Sequence, residues 1–179
     1  LKVRNIIKPG YLIVGANPVA LMLAEALSLQ GVSVLLASSS WASIQKVKMK
    51  GLSYYFGEPV SEHADRQINW VGLSGLLALS SRPDLNRLSG LRYQREFKKS
   101  ALFALQSNKQ RLASRAKYCH YSKPLFAEGV TFDTLLQKIN EGATARATVL
   151  TDVYTLSMAI AQKDGCGVLL FALDPAGKL

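Results

Sequence analysis

Acidic residues are scarce in this chain. Its 12 Asp and Glu stand against 22 Lys and Arg, a formal net charge of +10 at pH 7. Such a balance leaves nucleic acid, an anionic membrane surface or an acidic neighbouring domain as partners, beside the plain alternative of a solvated basic surface. Cysteine is nearly absent. Cys119 and Cys166 have neither a metal-ligand nor a redox spacing, so a zinc site and a dithiol centre are excluded and two free, reduced thiols are expected. Long apolar runs are also missing. The stretch from Tyr11 to Ala37 carries a single charge, Glu25, but Gly15, Asn17, Pro18 and Gly31-Val-Ser33 cut it into strand, helix and strand, which excludes a membrane span.

What is present is a core-forming chain: 179 residues with 49% hydrophobic content suffice for one substantial domain, or one plus a smaller piece. Its most informative stretch is Tyr11-Leu-Ile-Val-Gly15-Ala-Asn-Pro-Val-Ala20, an apolar run that bends at a glycine and continues as a helix. A G-x-G-x-x-G/A phosphate turn uses its first Gly for the bend, its second for backbone approach and its third small residue for helix packing. Gly15 and Ala20 fit that pattern, and Ala16 lies between the bend and the altered positions. Asn17 places a side chain where a phosphate would lie, and Pro18, well suited to a helix start, has no N–H to offer an anion.

Strand and helix patterns then alternate. Ser33–Ala37 reads as a second buried strand, and Trp41, Ile44 and Val47 form the inward face of a helix ended by Gly51. Leu52–Phe56 is a third strand closed by Gly57-Glu58-Pro59, with Val60, Ala64 and Ile68 on a short third helix. Leu76–Leu79 is a fourth strand ending at Ser80-Ser81, Pro83 opens a helix expected to turn Leu85, Leu88 and Leu91 inward, and Ala101–Leu105 is a fifth strand. Apolar strands alternating with amphipathic helices predict an α/β fold, a Rossmann-like doubly wound parallel sheet, followed by a small α+β region.

The basic residues cluster as Lys46, Lys48 and Lys50, as Arg87, Arg92, Arg95, Lys98 and Lys99, and as Lys109, Arg111, Arg115, Lys117 and Lys123. The last group lies in a stretch without apolar periodicity and reads as an exposed linker or contact arm. The expected organisation is a Rossmann-like domain over 1–106, a basic linker over 107–124 and a small α+β domain over 125–179. In that last part Thr131 caps a helix with Phe132, Leu135, Leu136 and Ile139 on one face and Gly142 after its end. Two strand-like runs follow, Ala145–Leu150 and Val168–Leu173, and Asp174-Pro-Ala-Gly177 is turn chemistry leading toward a returning strand. That unfinished hairpin, with Leu1 in place of Met, leads us to expect an excised piece of a longer protein.

These residues together resemble the RCK (TrkA-N type) domains that regulate potassium transport, and the related cytosolic tails of sodium/proton antiporters. The resemblance spans Tyr11 to about Gln106, and the part beyond Leu125 resembles the small domain that follows in some antiporter tails. It rests on Gly15-Ala-Asn-Pro-Val-Ala20, on Trp41 with the basic helix ending Lys50-Gly-Leu52, on Tyr54-Tyr-Phe-Gly57-Glu, on Leu76-Leu-Ala-Leu-Ser80 and on Phe171-Ala-Leu-Asp-Pro-Ala-Gly177. In that family the site combines the glycine turn, an acid after the second strand, a Gly-Asp after the third and a Ser or Thr after the fourth. The chain matches with Gly15, Gly57-Glu58 and Ser80. It departs after the second strand, where Ala37-Ser38-Ser39-Ser40 stands in place of the acid that grips the adenosine ribose; a serine hydroxyl binds a ribose more weakly than a carboxylate does. Losing the acid also removes the charge that repels a 2′-phosphate, with Lys46 nearby as a minor pointer to NADP.

The resemblance implies cofactor contacts from Gly15, Ala16, Asn17, Pro18, Ser38, Ser39, Gly57, Glu58 and Ser80, with NAD(H) or an adenine nucleotide as ligand, or none where the site has decayed. It also implies a homodimer attached to a membrane-embedded transporter domain at the cytoplasmic face of the inner (plasma) membrane, near an anionic lipid surface. No catalytic set is expected. His63 reads as a surface histidine, Cys119-His120 as an incidental neighbour pair, and Tyr54 and Tyr55 as strand residues. Tyr118 and Tyr121 belong to no nucleic-acid motif, so no nucleic-acid partner is expected. The function expected is nucleotide-biased regulation of a monovalent cation/proton antiporter. The alternatives are a soluble NAD(P)-dependent oxidoreductase domain, or a domain whose decayed cleft leaves only protein interaction.

Overall fold

A computed structural model describes residues 9–105, 121–127, 129–153, 155, 157–158, 167–174 and 178. Five strands alternate with four helices in its first part: β1 (Gly10–Val14), α1 (Pro18–Leu29), β2 (Val34–Ser38), α2 (Trp41–Met49), β3 (Ser53–Phe56), α3 (Glu62–Gln67), β4 (Leu73–Ala78), α4 (Pro83–Tyr93) and β5 (Leu102–Ala104). A two-residue strand β6 (Lys123–Pro124) and a helix α5 (Phe132–Asn140) follow. The sheet is six-stranded, in the order β3-β2-β1-β4-β5-β6, and every pairing is parallel. This is the doubly wound α/β arrangement that the alternating pattern predicts.

Two cores cover the two sheet faces, because neighbouring residues of a strand point to opposite sides. Ile13, Leu36 and Leu77 share one face with the buried side chains of α1 and α2. Leu12, Ala37, Tyr55 and Leu76 share the other with Ala64, Ile68, Tyr93 and Phe97. Helix ends follow local chemistry. Ser40, Ser61 and Thr131 each accept a hydrogen bond from the third backbone amide of their helix, and Gly51 and Gly142 take positive φ just past a helix end.

The inward face of α4 differs from expectation. Leu88 and Leu91 are exposed, at 46% and 39%, while Asn86, Ser89, Gly90 and Tyr93 are buried. The packed stripe is therefore polar and small where it meets the sheet, because Asn86 is needed to satisfy backbone at the end of β4 and Gly90 lets Tyr121 and Ser122 come close. At the other end of α4 the Tyr93 hydroxyl donates to the Pro59 carbonyl, and Trp70 and Phe97 close an aromatic cluster around that ring. Burial, reinforced by the Asp65 charge, pushes the Tyr93 phenol above its ordinary pKa.

The C-terminal part also differs. Lys123 and Pro124, inside the stretch read as linker, pair with Phe103 and Ala104 as the sixth strand. Helix α5, expected in a separate small domain, buries Leu135 in the core that α1 shares, with Phe132, Leu136 and Ile139 packed against it. Neither 145–150 nor 168–173 forms a strand. The first run is mostly exposed and buries nothing. In the second, Val168, Leu170, Phe171 and Leu173 pack on the α1 core without a ladder partner. Asp174 Oδ1 accepts from the Lys178 amide at 2.8 Å. Most of the basic linker, with Cys119-His120, and Cys166 and residues 175–177 lie outside the described residues.

Candidate functional site

In a parallel sheet of this order the strand direction of growth reverses between β1 and β4, and the crevice outside their carboxyl ends is where such folds take ligands. The β1 end is shaped by Gly15, at φ +115°, whose amide donates to the Ala37 carbonyl at 2.9 Å. A Cβ at Gly15 would lie 3.1 Å from the Leu79 carbonyl and the Ser80 amide, so glycine is required by close approach as well as by φ.

Asn17 does not project into that crevice as a free side chain. Its Oδ1 accepts from the Ala20 amide at 2.9 Å, capping α1, and its Nδ2 donates to the Leu79 carbonyl at 2.6 Å. Pro18 at the first helical position is exposed and has no amide hydrogen, while Ala16 is buried at 5%. Two of the first-turn donors an anion would use are thus removed, one by capping and one by proline, and Val19 between them is fully buried.

The β2 end carries Ser38, partly buried, and Ser39, exposed. Ser38 Oγ accepts from the Ser40 amide at 3.2 Å, and the Ser38 carbonyl accepts from the Gly57 amide at 3.0 Å. That second bond brings the β3 end, Gly57-Glu58, beside the β2 end. Glu58 is exposed, and its carbonyl accepts from Ser61 Oγ at 2.8 Å. Gly57 sits at φ +151° over the Tyr55 hydroxyl, which is 2.9 Å from His63 Nδ1.

Ser80 closes the β4 end and is buried at 8%. Its amide donates to Asn86 Oδ1 and its carbonyl accepts from Asn86 Nδ2, each at 2.9 Å, while its Oγ accepts from the Arg82 amide at 3.1 Å. Asn86 is the supporting residue that sequence reasoning missed. A polar residue three positions after the helix-opening Pro83 was the available signal, and the neighbouring leucines obscured it.

All nine residues expected at the site therefore lie in, or directly beside, the four loops at one end of the sheet. Gly15, Ala16, Asn17, Pro18 and Ser80 meet at the β1–β4 reversal, and Ser38, Ser39, Gly57 and Glu58 form a neighbouring group above β2 and β3. Trp41, expected on the inward face of α2, is 51% exposed and sets its ring edge-on to Phe56, with centroids 5.1 Å apart. It stands at the first position of α2, at the edge of the sheet, and among the described residues no helix covers it.

The turn keeps the close glycine, the β2 end offers a hydroxyl rather than a carboxylate, and the Asn17 side chain occupies the space at the start of α1. Among the described residues no group of three or more His, Cys, Asp or Glu side chains is gathered as for a metal, and no helix is long and apolar enough to cross a membrane.

No protein-family model and no curated protein matches the chain. Its fold is similar to that of the NAD(P)-binding domain of an exopolyphosphatase-related protein from Archaeoglobus fulgidus, at 16% identity and a TM-score of 0.54. It is similar also to the TrkA-N domain of the inner membrane protein ybaL from Escherichia coli, at 12% identity and a TM-score of 0.55. Each likeness covers 75% of this chain and 96% of the other. At these identities the likeness is one of fold, a Rossmann-like doubly wound parallel sheet.

Proposed function

We propose that the chain is a non-enzymatic, nucleotide-sensing regulatory domain of a monovalent cation/proton antiporter. It works as a homodimer at the cytoplasmic face of the inner membrane, where NAD(H) or an adenine nucleotide biases one arrangement of the pair. The observation that carries this reading is the double use of Asn17 at the phosphate turn. A redox enzyme gains from a firmly held cofactor, whereas a sensor needs a ligand whose occupancy follows its concentration. Filling part of the cradle and replacing the ribose carboxylate by Ser38 both act in that direction.

The ligand shifts a two-state equilibrium only by its difference in affinity for the two states. Ser38 would hold the ribose beside the Gly15 turn, and Ser80, immobilised by Asn86, would set the floor of the crevice. The likeness to a TrkA-N domain of an inner membrane protein supports attachment to a membrane partner, and the net charge of +10 suits an anionic lipid surface or acidic loops beside it.

Thermal-shift and calorimetric titration of the purified chain with NAD, NADH, NADP, AMP and ATP tests the reading. A melting temperature that rises with millimolar adenine nucleotide is expected, since a ligand bound to the folded state stabilises it by mass action. No response to any of them assigns a decayed cleft that acts only in protein interaction. The encoding gene supplies a second test. Apolar spans joined to this domain are expected, and a soluble catalytic domain in their place would make the chain part of an NAD(P)-dependent oxidoreductase.

A further inference from the structure

We infer that the exposed Trp41–Phe56 pair is a stacking platform for the purine base of the bound nucleotide, and that it sets the ligand specificity of this cleft. The inference rests on the nucleotide-sensing reading and assigns the part of the ligand that the turn and Ser38 leave unheld.

The pair is placed by the sheet register. Phe56 is the last residue of β3 and lies directly beside Ser38, the last residue of β2, in the parallel ladder. Trp41 opens α2 three residues after Ser38, and its ring meets Phe56 at an interplanar angle of 71°. The two rings are 51% and 48% exposed, and β3 is the edge strand, so among the described residues no further strand covers Phe56.

A nucleotide laid across this end of the sheet runs outward from the reversal point. Its phosphate belongs beside the Gly15 turn above β1, and its ribose at the β2 end by Ser38. Successive strands are about 4.8 Å apart, so the next moiety out, the base, arrives above β3, where the aromatic pair stands. Base-on-ring stacking is tolerant of sequence and strong enough to replace the missing carboxylate.

Two consequences distinguish such a cleft. Recognition depends on the base, so ligands without a purine bind poorly. The 2′ position is not read by a carboxylate, so a 2′-phosphate costs little, and NAD and NADP are held alike.

Trp41 reports directly on its own contact. The chain has two tryptophans, and Trp70 lies on the opposite sheet face, packed among Tyr93 and Phe97. Trp70→Phe keeps a ring in that cluster and leaves Trp41 as the sole emitter. In this variant AMP and NADP are expected to quench Trp41 fluorescence in step with their calorimetric binding curves, and ribose 5-phosphate is not. In the wild-type background, Trp41→Ala is expected to weaken AMP binding by roughly tenfold, while Trp41→Phe retains most of it.

AMP binding by calorimetry with unchanged Trp41 emission and unchanged affinity in Trp41→Ala overturns the stacking platform and leaves the sensing reading intact. Absence of heat from every nucleotide overturns both. A shift of Trp41 emission with protein concentration alone, without ligand, also overturns the platform, because a second copy of the chain would then cover the pair.

Discussion

The Asn17 side-chain amide donates to the Leu79 carbonyl at 2.6 Å and so ties the first turn of α1 to the end of β4 across the point where the sheet order reverses. The same side chain caps α1 through Ala20. One residue thus joins the two walls of the crevice in which a doubly wound sheet takes its ligand. Closure of this kind stabilises the fold and competes with an anion for the same donors.

Replacing Asn17 by Gly separates those two effects. Losing the bond to Leu79 and the side-chain cap is expected to cost about 1–2 kcal/mol, read as a lower urea midpoint. The freed Ala20 amide and the added space are expected to tighten AMP and NAD binding in calorimetry. Unchanged or weaker binding would show that Asn17 does not limit access to the phosphate turn.

Ser38→Asp restores a carboxylate at the β2 end. Hydrogen bonds to a charged acceptor are about twice as strong as neutral ones, so roughly tenfold tighter NAD binding is expected. NADP is expected to gain nothing or to lose affinity, because the new charge faces its 2′-phosphate. Calorimetry with both cofactors checks the pair, and parallel changes would place the ribose elsewhere.

Asn86→Ala removes both partners of the Ser80 backbone in one step. A buried amide and a buried carbonyl are then left without their bonds, and a loss of about 2–3 kcal/mol is expected in denaturant unfolding. Substituting exposed Leu88 by Ala on the same helix is expected to change stability far less, within about 1 kcal/mol. Equal losses would return the leucines to the inward face.

Tyr93 makes stability pH-dependent at the alkaline end. Burial raises its pKa in the folded state, so above about pH 10 the unfolded chain gives up a proton that the folded chain keeps. The stabilisation is complete below that pH and falls as pH rises through it. Tyr93→Phe, which also loses the bond to the Pro59 carbonyl, is expected to be less stable at pH 7 and to show a flatter alkaline decline. Thermal melts across pH 8–11, a range of roughly one to two units on either side of a free phenol's pKa, give the comparison.

Strand and helix order was legible because each element carries its own signal. Apolar runs such as Tyr11–Val14 and Leu76–Leu79, glycines at forced turns and Ser or Thr caps act within a few residues of chain, and they mark the sheet class before any long-range contact forms. The strand-like runs 145–150 and 168–173 show the limit of that signal, since a strand also needs a partner edge. Lys123-Pro124 shows the converse. Nothing local marks it as a strand, and it becomes one because the edge of β5 lies beside it.

The candidate site divides along the same line. The sequence by itself determined the bend at Gly15, the missing amide at Pro18 and the absence of an acid after β2, all of which are properties of single positions. Only the tertiary structure decided what Asn17, Asn86 and Trp41 do. Their partners Leu79, Ser80 and Phe56 stand beside them because separate strands end at one level, and hydrogen bonds and ring contacts between strand ends have no periodicity along the chain to betray them.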